Sequence, residues 1–581
     1  MSSELSWPRT RWHVASNNLS AVRRLSETIG VSETLACALL TRGISDPESA
    51  QNHLAPRLQR LVPPERLPGV CEAAEIIRRA VAVGEAMLVF GDFDADGVCA
   101  ATVLSTAIQA IGGRVAVFIP DRVAEGYGLT PEAVQRALGR HPETRLLVTV
   151  DCGITQHEGC EVCRSRGVDV IITDHHSLAE TLPAAQVLIN PHLPGTPAEL
   201  RGLAGVGVAF KLAHMLARDG ARHCFDPTAL LPAVALGTVA DVSPLTDENR
   251  ILVHAGLVRL NRGVSVGLAA LKRVSRLSGD VSASDLAFRL GPRINAAGRI
   301  GDPMLAVELL LTADVQRAEA LAMQLDALNS DRQQMERAAC EEAFRMLDET
   351  DTAPRPSAAV VWNSAWHPGV VGLLAGRISH RWHIPSVAIH LGDDGEARGS
   401  ARCPEAGGVD LMALLAPCSH LFLRHGGHCA AAGVTLRNED VPVFAELFRK
   451  VCVTALEGRD LRPAMEIDGW VDPAELTLRF HEEAQSLEPC GASHPAARWA
   501  MRSVRLASPP SRMGAEGRHC RFQFETGSAI KLGAVFFNVE EDITGFREGD
   551  RIDIAFATRL NAYWGDPELQ LVLEDLRPAS N

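Results

Sequence analysis

The chain has very little lysine. Of its 57 basic residues, only Lys211, Lys272, Lys450 and Lys531 are lysines; arginine supplies the rest. Two readings of that bias stay open: arginine is the better fork for phosphate oxygens, and a GC-rich coding sequence favours it for no chemical reason. Positive charge is in deficit overall, with a formal net charge of −14. Net charge speaks to solubility and steering, so a polyanionic substrate is left to local sites. Aromatic residues are 5% of the chain, which limits base-stacking surfaces to a few rings. No run of about 18 apolar residues occurs, so no membrane-crossing helix is expected. The start "MSSELSWPRTRWHVASNN" has no apolar segment of the secretory kind. The 14 cysteines form no compact framework, and a cytoplasmic location is expected. Repeats of fixed period and low-complexity tracts are also absent.

What remains is a long globular chain. Its 581 residues exceed one core, so several domains are expected. Residues 1–70 read as a helical segment with Pro-rich breaks ("LVPPERLPGV"). From about 71 to 190, buried strands ("AMLVFGD", "VAVFIPD", "RLLVTVD", "VDVIITD", "QVLIN") alternate with helical stretches. Short continuous apolar strands between helices predict a parallel sheet covered on both faces. Helices dominate from about 204 to 280, giving an α/β domain over 71–303. Residues 304–350 predict one long or once-broken connecting helix between two lobes. After the linker-like "DETDTAPRPS", a second, smaller α/β domain is expected over 355–458. Short strands with turns over 460–577 predict a small closed β-barrel.

The stretch "VFGDFDADGVCAATVL" sets Asp92, Asp94 and Asp96 at alternate positions behind an apolar strand. Carboxylates that close repel one another unless a cation sits among them. Three more segments end in metal-type ligands: "RLLVTV" in Asp151, "VDVIIT" in Asp174, His175 and His176, and "LLPAVALGTVA" in Asp241. An Asp after a strand is often only a helix N-cap. Strand C-termini of a parallel sheet line one edge, however, and four such ends together point to a site. A shell of Asp and His suits Mn²⁺ or Mg²⁺ better than zinc. So many carboxylates imply two ions, about 3.5–4 Å apart, clamping a phosphoryl group and a water. "CGITQHEGCEVC" brings Cys152, His157, Cys160 and Cys163 near one another; zinc and ordinary helix packing both remain open there.

"DFDADG", Asp151 after its strand, "DHH" at 174–176 and "GTVADVSPL" resemble the DHH phosphoesterase superfamily. "FRLGPRINAAGRIGDP", "WHPGVVGLLAGRI", "GSAR", "GGHCAAAG" and "LNAYWGDPELQLVLEDL" narrow the resemblance to the RecJ family of bacterial single-strand-specific exonucleases, over nearly the whole chain. The resemblance implies a DHH catalytic domain, a DHH-associated domain and a C-terminal OB-fold. It implies 5′→3′ hydrolysis of single-stranded DNA to nucleoside 5′-monophosphates, in recombination and repair, with Mn²⁺ or Mg²⁺. Asp94, Asp96, Asp151, His175 and Asp241 are then the expected ligands, with Asp151 bridging the ions. His176 is expected to contact the scissile phosphate or its leaving oxygen, and Asp174 to orient a histidine from behind. Asp92 is expected to support the ligands without touching metal. Many DHH enzymes have a histidine at the position of Phe90; its absence here puts occupancy of one metal site in question.

The resemblance also gives Arg122, Ser400 and Arg402 as a pocket for the 5′-terminal phosphate, against the plain reading of surface arginines in ion pairs. Arg293, Asn295 and Arg299 are expected to contact substrate. His428 follows a Gly pair that allows close approach of backbone to phosphate, or is structural. His367-Pro368-Gly369 stands where a helix begins and offers N–H groups to phosphate. "GVGVAF" is too loose for a dinucleotide fingerprint. Trp564, Tyr563 and Phe522 are the barrel rings weighed as stacking platforms against core packing. The family implies a monomer that works with the single-stranded-DNA-binding protein and a RecQ-type helicase, away from membranes. The alternative is a DHH-family phosphodiesterase acting on short oligonucleotides or cyclic dinucleotides.

Overall fold

The computed structural model describes residues 10–122, 125–218, 225–263, 265–349, 357–404, 408–514, 517–525, 531–539, 545–561 and 568–579. The chain divides into two compact units. One comprises Pro56–Ala338 with Pro489–Pro495, and the other Met1–Ala55, Ala339–Glu488 and Ala496–Asn581.

The first unit is built on five parallel strands: β1 (Ala86–Gly91), β2 (Arg114–Phe118), β3 (Thr144–Val150), β4 (Asp169–Thr173) and β5 (Val187–Ile189), in the order β2-β1-β3-β4-β5. Alternate residues of β1 enter different cores. Met87 and Val89 join one apolar cluster, while Leu88 and Phe90 join another. A strand apolar on both faces reads as a continuous run, hence "AMLVF". Helices α1 (Ala95–Ala110), α2 (Gly205–Arg218) and α3 (Leu231–Ala240) fill the larger core. A π-helical turn at Leu286–Leu290 leads into α4 (Gly291–Ile300). The helical segment after Pro303 breaks once: Met304–Leu311 ends at Thr312, and α5 runs 35 residues over Val315–Glu349. At 1.5 Å per residue that is about 50 Å of helix. Residues 489–495 complete this unit, where the Leu245 N–H donates to the Ala492 carbonyl at 2.9 Å.

The second unit holds a mixed sheet and a barrel. The sheet strands are β6 (Ala359–Asn363), β7 (Ser386–Leu391), β8 (Glu396–Arg402), β9 (Phe422–Gly427) and β10 (Ala431–Arg437), ordered β9-β10-β8-β7-β6, with only β6 and β7 parallel. Helix α6 (Val371–Trp382) covers one face through Leu374, Ala375 and Ile378. The helix Val441–Leu456 covers the other through Phe444 and Phe448. The barrel strands β11 (Trp499–Leu506), β12 (His519–Glu525), β13 (Lys531–Phe536), β14 (Arg551–Asn561) and β15 (Glu568–Pro578) run β11-β14-β15-β13-β12, and a β11–β12 pairing closes the ring.

One reading changes, one open choice is decided, and one falls outside the described residues. The N-terminal segment is not all helix: Arg11–Val14 is a strand paired in parallel with Ala464–Ile467. Four residues whose partner lies some 450 positions away carry no local signal. Phe522 is no stacking platform, because β12 alternates and Phe522 points inward at 1% exposure, stacked on Phe524. Tyr563, Trp564 and most of the linker at 348–357 lie outside the described residues.

Candidate metal centre

Loops at the C-terminal edge of the parallel sheet carry the acidic residues. Asp94 caps α1, its Oδ1 accepting from the N–H groups of Asp96 (2.9 Å) and Gly97 (3.1 Å). The capping reading is therefore true of Asp94, and its second oxygen is left over for other work. Gly97 is obligatory for packing, since a Cβ there would stand 2.5 Å from the Asp92 carbonyl oxygen. Asp96 faces the start of α2 and accepts from Gly205 N (2.7 Å) and Val206 N (2.9 Å). A Cβ on Gly205 would stand 2.5 Å from Asp151 Oδ1, so only glycine admits that carboxylate. Asp151 itself adopts φ 61°. A non-glycine residue held in the left-handed region costs roughly 1 kcal/mol, strain that tends to gather at functional sites.

Asp174 is the most heavily solvated by protein. Its carboxylate accepts from the N–H groups of Ile154 (3.0 Å), His175 (2.7 Å) and His176 (3.1 Å), and from His176 Nδ1 (2.7 Å). Burial opposes its charge, but these donors, His176 above all, hold it below the usual carboxylate range. In return, His176 keeps a raised pKa despite its burial. His175 goes the other way: burial, then the neighbouring His176, pushes it down to about 4, so its imidazole stays neutral. Its Nε2 lies 3.1 Å from Asp151 Oδ1 and 3.9 Å from Asp96 Oδ2.

Three overlapping sets of ligand atoms fall within 4.8 Å: Asp92, Asp94 and Asp151; Asp151, His175 and His176; and Asp96, His175 and Asp241. Asp151 and His175 each belong to two sets. Burial, and then mutual repulsion, drives Asp92, Asp96 and Asp151 well above the ordinary carboxylate range. Asp241 rises to about 6 for the same reasons, although the Ser243 hydroxyl donates to it at 2.5 Å. Among the described residues, Asp92 Oδ1, Asp151 Oδ1 and His175 Nε2 are buried without a hydrogen-bond partner. Orphaned acceptors converging on one point are what a cation would satisfy. An oxygen-rich set with one neutral imidazole fits Mn²⁺ or Mg²⁺. The residues present fit the group.

The structure brings Asp92 into the cluster itself rather than behind it. Phe90 offers no ligand atom: it is buried against Phe118, ring centroids 5.4 Å apart. Cys152, Cys160 and Cys163 join the same apolar cluster, and His157 lies by Thr181 O (3.2 Å). Among the described residues, every converging ligand set belongs to the carboxylate centre, so this segment packs as an ordinary helix. Arg122 lies over the Phe93 ring at 5.1 Å and feels Asp92 and Asp94. Asn295 accepts from Ala95 N (2.7 Å), positioning the acidic loop, and Arg299 sits half-buried on the same helix. Arg293 is engaged elsewhere, with Asp326 of α5 at 2.7–2.8 Å. Tyr127 was missed: its hydroxyl stands 3.2 Å from both ring nitrogens of His176 and 3.3 Å from the Asp151 carbonyl. Only "EGYG" and the scarcity of tyrosine marked it.

In the second unit, Arg402 Nη1 donates to Ser400 Oγ (2.9 Å), the two side chains sharing one face of β8. The start of α6 meets them there. A Cβ on Gly372 would lie 3.1 Å from Ser400 Oγ and 3.3 Å from Arg402 Nη2. No side chain caps α6. His367 Nδ1 instead accepts from Gly369 N (3.0 Å) just before it. His428 is exposed in the β9–β10 turn, its N–H donating to Ala431 O (2.8 Å).

Aspartates from successive sheet-edge loops around a DHH triplet are the arrangement of a DHH-type phosphoesterase, and residues 86–238 match the DHH family, N-terminal domain. Residues 356–454 match the DHHA1 domain and 467–575 the RecJ OB domain. The single-stranded-DNA-specific exonuclease RecJ of Escherichia coli strain K12 is 34% identical over 96% of this chain and 98% of its own length. That of Dickeya dadantii is 37% identical over 88% and 91%. The crystal structure of RecJ with Mn²⁺ from Thermus thermophilus superposes with a TM-score of 0.85 at 30% identity, covering 99% of this chain and 80% of that one. The chain belongs to the RecJ family.

Proposed function

We propose that the chain is a metal-dependent exonuclease that degrades single-stranded DNA from the 5′ end to nucleoside 5′-monophosphates, in recombination and repair. The observation that carries this is the overlap of three ligand sets at Asp151 and His175, with orphaned oxygens facing one another. Two ions, Mn²⁺ or Mg²⁺, bound there would neutralise phosphate charge and lower the pKa of a water so that it reacts as hydroxide. Asp92, Asp94, Asp96, Asp151, His175 and Asp241 would hold them. Water adds to phosphorus and gives up one proton to solvent, the bond to the 3′-oxygen breaks, and that oxygen takes a proton. His176, its pKa raised by Asp174 despite burial, is positioned to donate to a phosphate oxygen or to the leaving oxygen. Tyr127 braces its ring. His175, neutral, keeps a lone pair free as a ligand.

Ser400, Arg402 and the uncapped start of α6 support a site for a terminal phosphate. An N-terminal helix turn, an arginine and a hydroxyl favour a dianion over a diester. Arg122 and His428 are each read, within their own units, as contacts to phosphate, and Asn295 as a positioner of the acidic loop. The barrel is read as a single-strand holder, the chain as a monomer acting in the cytoplasm with the single-stranded-DNA-binding protein and a RecQ-type helicase. The test is digestion of single strands labelled at either end, with Mn²⁺ and then with a chelator. Release of labelled mononucleotide only from the 5′ end, abolished by the chelator, is the expected outcome. Release from the 3′ end first would overturn the polarity, and persistence in chelator the metal dependence.

A further inference from the structure

Phe288 is 79% exposed, unusual for a large apolar ring that no neighbour requires. It sits in the π-helical turn Leu286–Leu290, between the buried Leu286 and Leu290. A π turn widens the helix and re-aims its side chains, and such turns gather at functional sites. The helix face that continues from it into α4 is spelled out by contacts. A Cβ on Gly291 would lie 3.0 Å from the Cβ of Ala240, the residue before Asp241. Asn295 reaches Ala95 N, between Asp94 and Asp96. A Cβ on Gly298 would lie 2.1 Å from the Phe93 carbonyl oxygen. Positions 291, 295 and 298 share one face of α4, and the π turn before it packs against α3, the helix that ends next to Asp241. That face meets the loop of Asp94 and Asp96, and the turn that carries Phe288 lies against the helix leading to Asp241.

Val242 makes the same point from the other side. It follows Asp241 directly, is 71% exposed and has φ 63°. A β-branched residue in the left-handed region is strained, and exposure brings it no packing in return. Two apolar side chains are thus held in water on the two segments that meet at Ala240 and Gly291.

We propose that Phe288, with Val242 on the neighbouring segment, is a stacking platform for one nucleobase of the strand being cut, fixing which phosphodiester lies at the carboxylate centre. The proposal rests on the reading of the chain as a single-strand exonuclease. Stacking is indifferent to base identity, because every base has a π face, and it demands an unpaired base. Phe288 therefore serves the choice of single strands without reading sequence.

The experiment compares the full chain with Phe288→Ala and Phe288→Trp in initial-rate kinetics on 5′-phosphorylated single strands. Each of the first several bases is replaced in turn by an abasic unit. Phe288→Ala is expected to lower kcat/KM roughly 5- to 150-fold on the intact strand, and Phe288→Trp to restore it. One abasic position should lower the wild-type kcat/KM by a similar factor and leave Phe288→Ala unaffected. A Phe288→Ala rate within about twofold of wild type would overturn the platform. So would a loss of the same size on every abasic strand, or a lowered melting temperature with no dependence on base position. A wild-type chain inactive on single strands would overturn the exonuclease reading as well; an active wild type with an indifferent Phe288→Ala overturns only the platform.

Discussion

The two α/β sheets use their chemistry in opposite ways. In the first unit, carboxylates crowd loops at the edge of an all-parallel sheet, buried and raised by one another's charge. In the second, Ser400 and Arg402 lie along a strand of a mixed sheet and already bond to each other. The first site gathers carboxylates whose repulsion only a cation or bound protons relieve; the second is satisfied before any anion arrives. A metal site built this way should be unstable empty and inert when one donor is lost. A phosphate site built the second way should tolerate emptiness and lose only selectivity.

The largest effect should follow Asp151→Asn. Asparagine accepts the left-handed backbone of this position, so the fold is kept while the charge shared by two ligand sets goes. Turnover should drop more than ~100-fold, beyond the usual loss for an outer partner. The metal-free variant should melt no lower than the metal-free wild type, since a repelling charge has been removed. A lower melting temperature, measured by calorimetry, would show that the site does not store repulsion.

Asp174→Ala comes next. Removing the carboxylate that accepts from His176 Nδ1 should cost roughly 10–100-fold in rate. The basic limb of the rate profile should also shift to lower pH, because His176 loses the partner that keeps its pKa raised despite burial. An unchanged limb would remove His176 from proton donation.

In the second sheet, Arg402→Ala should lower kcat/KM on 5′-phosphorylated strands by about 10–150-fold, the equivalent of the ~1.5–3 kcal/mol of a charged hydrogen bond. Strands with a 5′-hydroxyl should be nearly unaffected. Equal losses on both substrates would erase the contrast between the sheets.

The smallest effect concerns pH. Asp241 is raised from 3.8 to about 6, so the folded metal-free chain keeps a proton that the unfolded chain has released. Stability therefore falls as pH climbs from about 4 to 6, by on the order of 3 kcal/mol. Mn²⁺ needs the carboxylate bare, so its gain in melting temperature should be larger at pH 7.5 than at pH 5. Equal gains at both would mean that no proton is displaced.

The sequence made the acidic half of this comparison legible. Asp92, Asp94, Asp151, Asp174 and Asp241 each end or follow an apolar run, and sheet topology alone predicts one edge for the strand-borne ones. Parallel strands and helices were readable for the same reason, since continuous apolar runs and their spacing are local. Contacts between distant segments were not. Nothing near Arg293 announces Asp326, Tyr127 meets His176 only through the fold, and the strand Arg11–Val14 waits for Ala464–Ile467. Phe522 stayed open between platform and core because an aromatic on an alternating strand looks the same whether it faces in or out until register is known.

Mn²⁺ binding by isothermal titration, run on the wild type and on Asp151→Asn, tests the metal centre most directly. Two Mn²⁺ per wild-type chain with proton release, and loss of tight binding in Asp151→Asn together with turnover, is the expected result. Unchanged Mn²⁺ stoichiometry and affinity in Asp151→Asn would contradict it.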